Sequence, residues 1–276
     1  MTQLDQTSID AANASFWNEL CGSSAARVWG VTDASMESLR RYDANFLTYY
    51  PYLERYIPWA ALCGRRVLEV GLGYGTVSQK LAESGALFTG LDIAANPVAM
   101  VNHRLRQSGF PGEAVQGNIL AAPFADCSFD AVVAIGCLHH TGNISAAIAS
   151  CRRLLAPGGI LIGMVYYAFS YRRLWNEPAQ TLRYLIRELR GQSGAVSNGK
   201  TFAYDHNAEG SLAPSTMFVS IRSLRALCSG FVDFRAATEN VDQEPPLSRW
   251  TRDKLLSSPV PKIIGLDLYW TCIRQN

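Results

Sequence analysis

Three glycines at every second position, directly after a short apolar strand, most constrain how this chain can fold. The strand signal covers residues 66–70, and the glycines are Gly71, Gly73 and Gly75. A strand, a glycine turn and a helix bring backbone close to a bound nucleotide in α/β proteins. A Cβ atom would obstruct both the turn and the ligand. The dinucleotide fingerprint has a third glycine three places after the second, where this chain has Thr76.

Strands and helices alternate through the middle of the chain, which predicts a parallel, doubly wound α/β sheet. The predicted strands there are 66–70, 87–92, 113–117, 130–135 and 159–165. A helix over 220–228 and strands over 231–239 and 266–273 follow after a break in this rhythm. The pattern divides the chain into an N-terminal helical cap (1–62), a core (63–165), a lid or substrate insertion (166–215) and a C-terminal completion of the sheet (216–276).

Five motifs in order resemble the class I S-adenosylmethionine-dependent methyltransferases of the type 11/12 kind. Residues 69–75 (E-x-G-x-G-x-G) resemble motif I, and Asp92 ends the second strand. Residues 116–119 (Gln-Gly-Asn-Ile) are similar to a Gly-Asp-hydrophobic step, with Asn in place of Asp. Residues 129–142 and 155–159 are similar to the fourth strand with its loop and to the turn before the fifth strand. The resemblance implies a Rossmann-like, mostly parallel seven-stranded sheet with helices on both faces.

The resemblance also implies a set of residues that bind S-adenosylmethionine and its product, S-adenosylhomocysteine. Glu69 is expected to meet the methionine ammonium, Asp92 the ribose hydroxyls and Asn118 the adenine. A cofactor without a pyrophosphate agrees with the absent third glycine of the dinucleotide fingerprint. The predicted cofactor residues are Glu69, Gly71, Gly73, Tyr74, Gly75, Asp92, Ile93, Asn118, Ile119 and Cys137.

Histidines and aromatic residues are candidates for the acceptor side. His139 and His140 follow the fourth strand, where a neutral imidazole could accept a proton or simply line the pocket. The candidate substrate residues are Phe16, Trp17, Tyr49, Tyr50 and His206. For the aromatic residues the alternative is packing in the core, and for His206 it is a structural role.

Charge and cysteine usage narrow the range of partners. The formal net charge of +2 shows no broad attraction to nucleic acid, so we expect no nucleic-acid partner. Seven cysteines lack a C-x-x-C pair, which favours reduced thiols and no metal site. No apolar run reaches the length of a membrane span, and the first residues do not resemble a signal peptide. A cytoplasmic location is expected, and the oligomeric state is left open.

A basic stretch in the predicted lid has three interpretations. Residues 169–190 carry five arginines and two glutamates. They could recruit an anionic acceptor, lie on a membrane surface, or form the solvated face of a lid helix.

The sequence as a whole favours a methyltransferase (EC 2.1.1) that modifies a small molecule, in specialised or cell-surface metabolism. The histidine pair favours oxygen or nitrogen over carbon as the methylated atom. One alternative is a non-catalytic Rossmann-like subunit that binds a partner. The other is an NAD-dependent oxidoreductase, which the departure at Thr76 and the lack of a Tyr-x-x-x-Lys pair disfavour.

Overall fold

The structure is a computed structural model that describes residues 5–197 and 204–275. Residues 1–4, 198–203 and 276, which belong to the predicted cap, lid and C-terminal segment, lie outside the described residues. The division into four segments remains a prediction.

Helices and strands alternate through residues 66–167, and further helices and strands precede and follow this region. The helices are α1 (Gln6–Phe16), α2 (Ser23–Val28), α3 (Met36–Tyr49), α4 (Thr76–Glu83), α5 (Ala95–Ser108), α6 (Ile144–Leu154), α7 (Tyr171–Asn176), α8 (Pro178–Leu189), α9 (Ile221–Leu227), α10 (Arg252–Leu256) and α11 (Val260–Ile264). The strands are β1 (Arg66–Val70), β2 (Leu87–Asp92), β3 (Glu113–Gln116), β4 (Phe129–Ile135), β5 (Leu155–Tyr167), β6 (Val196–Ser197), β7 (Met217–Val219), β8 (Phe231–Glu239) and β9 (Asp267–Arg274).

All nine described strands belong to one sheet. Seven of them lie in the order β3-β2-β1-β4-β5-β9-β8, and β9 runs antiparallel to both of its neighbours. The short strand β7 pairs in parallel with the last two residues of β5, and β6 pairs with β7. The predicted Rossmann-like seven-stranded sheet is therefore confirmed, with the antiparallel pair β6 and β7 as an addition.

The central strands are buried on both faces, as parallel strands covered by helices must be. Alternate side chains of β1 point to opposite faces. Leu68 and Val70 join one apolar cluster with residues of α6 and α9, whereas Val67 joins a second cluster with residues of α4 and α5. Both helical layers thus hold the carboxyl ends of the strands in fixed positions.

The predicted strands agree with the observed strands, apart from their ends. Residues 155–159, predicted as a turn before the fifth strand, fall within β5 as the structure defines it. This stretch is irregular, because Gly158 has φ +74° and the pairing with β4 shifts register there. The two short strands β6 and β7 were not predicted, since two or three residues carry too little period to be recognised.

Candidate active site

A cavity of about 1130 Å³, its open mouth included, lies at the carboxyl ends of β1, β2 and β4. Residues of α1 and α3 form its other walls, including Asp10, Asn13 and Tyr42. All the predicted cofactor residues line it, namely Glu69, Gly71, Gly73, Tyr74, Gly75, Asp92, Ile93, Asn118, Ile119 and Cys137. The sheet brings them together because consecutive parallel strands end at one edge.

The glycine loop after β1 is shaped by close packing. Gly71 has φ +78°, and a Cβ there would lie 2.4 Å from the Cβ of Cys137 in the loop after β4. Gly75 has φ +81° and precedes α4, and its Cβ would lie 2.9 Å from Val101 Cγ2 on α5. The glycines therefore let the loop after β1 pack closely against the loop after β4 and against α5. They also leave the cavity free of side chains at these positions.

Glu69 is a buried carboxyl group in the cavity wall. The Ser78 hydroxyl on α4 donates a hydrogen bond to Glu69 Oε2. Burial raises the pKa of Glu69 to about 8, although the Ser78 hydrogen bond acts to lower it. Arg66, on the same strand, binds Asp130 and not Glu69, with an Nη2–Oδ1 distance of 2.7 Å. A cation of a bound ligand beside Glu69 would lower this pKa and favour the ionised carboxylate.

The Asp92 carboxylate connects the loop after β1 with the loop after β2. Its Oδ2 accepts from the Leu72 N–H at 2.7 Å, and its Oδ1 accepts from the Ala94 N–H at 2.9 Å. Burial raises the pKa of Asp92, and these backbone hydrogen bonds oppose the shift. Each carboxylate oxygen has a second lone pair, so both can still accept from a ligand hydroxyl.

The side chain of Asn118 is engaged on both sides. Its Oδ1 accepts from the Leu120 N–H at 2.9 Å, and its Nδ2 donates to Asp10 Oδ2 at 2.7 Å. The Asp10 carboxylate comes from α1 and lines the same cavity. The amide at position 118, which replaces the acid of the resembled Gly-Asp-hydrophobic step, is therefore accompanied by a carboxylate from a different element.

The two adjacent histidines have different surroundings. His140 lines the cavity, whereas His139 is fully buried behind it, with the two rings 4.0 Å apart. Within the described residues neither ring nitrogen of His139 has a hydrogen-bond partner. Burial holds the pKa of His139 well below its usual value, and the pKa of His140 is also lowered by burial. Both imidazoles are thus neutral at pH 7.

His140 belongs to a polar cluster with Asp205 and Tyr166. Its Nδ1 lies 2.8 Å from the Ser215 carbonyl oxygen, which makes Nδ1 the protonated nitrogen of the neutral ring. Its Nε2 lies 3.4 Å from Asp205 Oδ2, and the Tyr166 hydroxyl donates to the same oxygen at 2.9 Å. Asp205 acts to raise the pKa of His140, against the effect of burial. The carboxylate would stabilise the charge if this imidazole accepted a proton.

Of the candidate substrate residues, Trp17 lines the cavity, with its ring centroid 4.8 Å from that of His140. The structure does not bring Phe16, Tyr49, Tyr50 or His206 to the cavity wall. Phe16 packs on Trp17, and Tyr50 packs on Phe46, which does line the cavity. The Tyr49 hydroxyl donates to Asp242, and His206 forms a β-bridge with Leu212.

Several residues at the site were missed in the sequence. Asp10, Asn13 and Cys21 line the cavity, and Tyr42 stacks on Tyr74 at 4.4 Å between ring centroids. No local motif marks them, because they come from α1, α3 and the turn before α2. Asp205, the sequence neighbour of the candidate His206, was also missed, although it is Asp205 that reaches His140.

Sequence and fold comparisons agree with this geometry. Residues 68–163 match the sequence profile of the methyltransferase domain family. A demethylmenaquinone methyltransferase from Tropheryma whipplei is 33% identical over 129 residues, 46% of this chain and 52% of that protein. A ubiquinone biosynthesis O-methyltransferase from Pasteurella multocida is 33% identical over 110 residues, 36% of this chain and 46% of that protein. The chain spans about half the length of the curated relatives it matches.

The fold is also that of a solved S-adenosylmethionine-dependent methyltransferase from Methanosarcina mazei. The TM-score is 0.53 at 18% identity, over 82% of this chain and 98% of that one. The chain contains a class I methyltransferase domain. The cofactor of this class is S-adenosylmethionine, which leaves as S-adenosylhomocysteine.

The residues of the methyltransferase domain fit this cofactor. The cavity offers a carboxyl group for an ammonium at Glu69, a carboxylate for hydroxyls at Asp92, and a carboxylate with an apolar wall at Asp10 and Ile119. Asn13 Oδ1 is buried at the cavity with no partner among the described residues. Such an oxygen is costly unless a ligand or water donates to it.

Two further features bear on the partners of the domain. Over residues 5–197 and 204–275, no group of three or more potential metal ligands occurs. No helix in the same ranges has the length and apolar character needed to cross a bilayer.

Proposed function

We propose that this chain transfers a methyl group from S-adenosylmethionine to a small-molecule acceptor. The observation that carries the proposal is the sequence of acidic groups along one cavity. Glu69, Asp92 and Asp10 all line it, and a ligand with an ammonium, a ribose and an aminopurine needs acceptors of this kind. The sulfonium of the bound cofactor supplies an activated methyl group. The protein then has to bind, orient and exclude water.

The chain's own residues supply this positioning. The carboxylate of Asp92 is held in place by the backbone of Leu72 and Ala94, so a ribose would meet a fixed acceptor. Asn13 and Gln6 of α1 donate to the carbonyls of His140 and Thr141 at 2.7 and 2.8 Å. These bonds hold α1 across the cavity and reduce access of water to it.

We infer that the acceptor approaches His140, and that the methylated atom is oxygen or nitrogen. Nε2 of His140 carries the lone pair of the neutral ring, and Trp17 packs beside it. Proton transfer from a hydroxyl or amine to Nε2 would produce an imidazolium beside Asp205. His139 is fully buried and does not line the cavity, so a positioning role for His140 and Tyr166 suits it better.

The names of the curated relatives support a small-molecule acceptor in biosynthesis. They are a demethylmenaquinone methyltransferase and a ubiquinone biosynthesis O-methyltransferase. An acceptor that carries a hydroxyl on a ring would suit a site lined by Trp17 and Phe46.

The test has two parts, so that binding and transfer are judged separately. Thermal unfolding is measured with S-adenosylhomocysteine and with NAD, and ligand at 100 times its Kd should stabilise the fold by about 2.7 kcal/mol. The chain is then incubated with methyl-labelled donor and a panel of phenols, amines and quinols. Stabilisation by NAD alone would favour an oxidoreductase. Stabilisation by S-adenosylhomocysteine without transfer to any member would favour a non-catalytic subunit.

A further inference from the structure

Helix α8 lies on the protein with its polar side inward. Thr181, Tyr184 and Glu188 are its buried residues. The hydroxyls of Ser220 and Ser223, at the start of α9, both donate to Glu188 Oε1. The Tyr184 hydroxyl donates to the Gly194 carbonyl at 2.8 Å. These hydrogen bonds, together with the apolar contacts of Tyr184 in a cluster with Ala168 and Phe218, fix which face of this helix meets the core.

The outward side of α8 is apolar, the reverse of an ordinary surface helix. Its exposed apolar residues are Leu182, Leu185, Ile186 and Leu189. They stand at i, i+3, i+4 and i+7, which is one continuous stripe of a helix. Leu189 is 72% exposed and Leu182 is 56% exposed. The preceding helix α7 adds exposed Leu174 and Trp175, and this set of six residues is called the α7–α8 patch below.

Arginines lie next to the apolar stripe. Arg183, Arg187 and Arg190 repeat at four and three residues and are all exposed, so they form a second stripe on the same helix. The one carboxylate of α8, Glu188, faces inward. Arg222 on the neighbouring helix α9 is exposed as well. α9 adjoins α8 because its Ser223 hydroxyl donates to Glu188. The surface around the α7–α8 patch is therefore positively charged.

The size and charge of this surface select among possible occupants. α8 has 12 residues and so is about 18 Å long. A stable protein interface buries about 800 Å² on each partner, which is more than one face of so short a helix provides. A two-fold contact between copies would place the two arginine stripes together without an exposed carboxylate of α8 to pair with them. A bilayer needs no matching shape, since leucines and a tryptophan enter its boundary and arginines bind anionic headgroups.

We propose that the α7–α8 patch docks the protein on an anionic lipid surface. The helix lies in the plane of the interface, with Leu182, Ile186 and Leu189 among the outer acyl carbons and Arg183 and Arg187 at the headgroups. This docking is independent of the proposed transfer reaction.

The experiment is co-sedimentation of the full chain with vesicles of phosphatidylcholine alone or mixed equally with phosphatidylglycerol. The chain should sediment with the mixed vesicles, and the bound fraction should fall as salt is raised. Replacement of the three arginines (R183Q, R187Q, R190Q) should weaken binding at least about tenfold. The matched charge control is R65Q, R106Q and R249Q, three exposed arginines on other elements, which should bind as the wild type does.

The apolar stripe is tested in the same way. The variant L182S, L185S, I186S and L189S should lose vesicle binding while it keeps the wild-type thermal unfolding midpoint. Its control is V28S, L87S, V232S and I263S, four exposed apolar residues elsewhere. If the wild type stays in the supernatant with anionic vesicles, the proposal is wrong. It is also wrong if sedimentation equilibrium shows a dimer that the α8 serine variant dissociates, because a second copy then covers the stripe.

Discussion

At the scale of single residues, the proposed role of Glu69 predicts that ligand binding releases a proton. Its pKa of about 8 keeps it protonated at pH 7 in the free protein. A bound ammonium favours the carboxylate and lowers this pKa, so binding should release close to one proton at pH 7. Affinity should therefore rise with pH between 6 and 7.5, as the proton to be displaced becomes easier to remove.

Calorimetry of S-adenosylhomocysteine binding in buffers of different ionisation enthalpy measures this release. The variant Glu69→Gln should release none and should lose the pH dependence. Without ligand, the free energy of unfolding should fall as pH rises from about 4.5 to 8, because the unfolded chain gives up this proton first. Proton release that is equal in the wild type and the variant would contradict the role given to Glu69.

The hydrogen bond between Asp10 and Asn118 can be tested by exchanging the acid and the amide between the two positions. Asn118→Asp should place two carboxylates 2.7 Å apart and lower the thermal unfolding midpoint by at least about 2 °C. The double variant Asp10→Asn with Asn118→Asp should regain it. Every hydrogen bond of the pair then survives, since Gln6 and Leu120 still donate to an oxygen on each side. A double variant as unstable as the single one would show that the pair is not coupled.

His140 should matter for turnover more than for binding. His140→Gln should lower kcat by about 100-fold, as loss of a general base does, with little change in the Kd of S-adenosylhomocysteine. The control is His103→Gln on α5, whose Nε2 contacts the Ala34 carbonyl away from the cavity.

The pH profile separates a base from a residue that only shapes the pocket. Because burial holds the pKa of His140 below 6.5, turnover should be constant above pH 7 and fall on acidification. Asp205→Asn removes a charge that raises this pKa, so the acid limb should move to lower pH. If the acid limb of the pH profile of Asp205→Asn lay at the wild-type pH, the role proposed for His140 and Asp205 would be contradicted.

The cavity residues proposed for the cofactor could be predicted from the sequence, whereas most of those around His140 could not. Glu69 and Asp92 lie at the carboxyl ends of β1 and β2, and Asn118 lies two residues past β3, so topology alone brings them to one edge. Asp205 and Asp10 reach the same region from loops and helices that lie far away in the chain. No local pattern contains such long-range contacts.

At the scale of elements, α1 covers one side of the cavity. It binds the loop after β4 through two side-chain hydrogen bonds, from Gln6 to Thr141 O and from Asn13 to His140 O. The double variant Gln6→Ala with Asn13→Ala should cost about 1 kcal/mol for each bond lost. Amide hydrogen exchange over residues 137–143 should become faster.

A matched variant on another helix controls for general destabilisation. Asn45→Ala removes a similar bond, to the Arg41 carbonyl on the exposed side of α3. Exchange over 137–143 should stay at the wild-type rate in this variant. Equal exchange in both variants would mean that α1 does not restrain the loop.

Strands were predicted better than the orientation of helices. β1 and β2 are apolar runs bounded by turn signals, which leaves little choice of structure. The arginines and leucines of α8 indicate an amphipathic helix equally well with either face inward. Glu188 decides the orientation, because Ser220 and Ser223 bind it across 32 and 35 residues of sequence.

At the scale of the whole molecule, one sheet edge gathers groups that lie far apart in the chain. β1 and β2 place the acidic groups for the cofactor, α1 covers them, and residues after β5 supply Asp205. The cofactor and the acceptor are thus expected to meet at the carboxyl ends of β1 and β4.

A crystal structure with S-adenosylhomocysteine tests this expectation most directly. The account predicts the ligand in the cavity after β1, with its ammonium at Glu69, its ribose hydroxyls at Asp92 and its adenine beside Asp10 and Ile119. A ligand bound elsewhere, or a cavity that stays closed by its own side chains at saturating ligand, would contradict it.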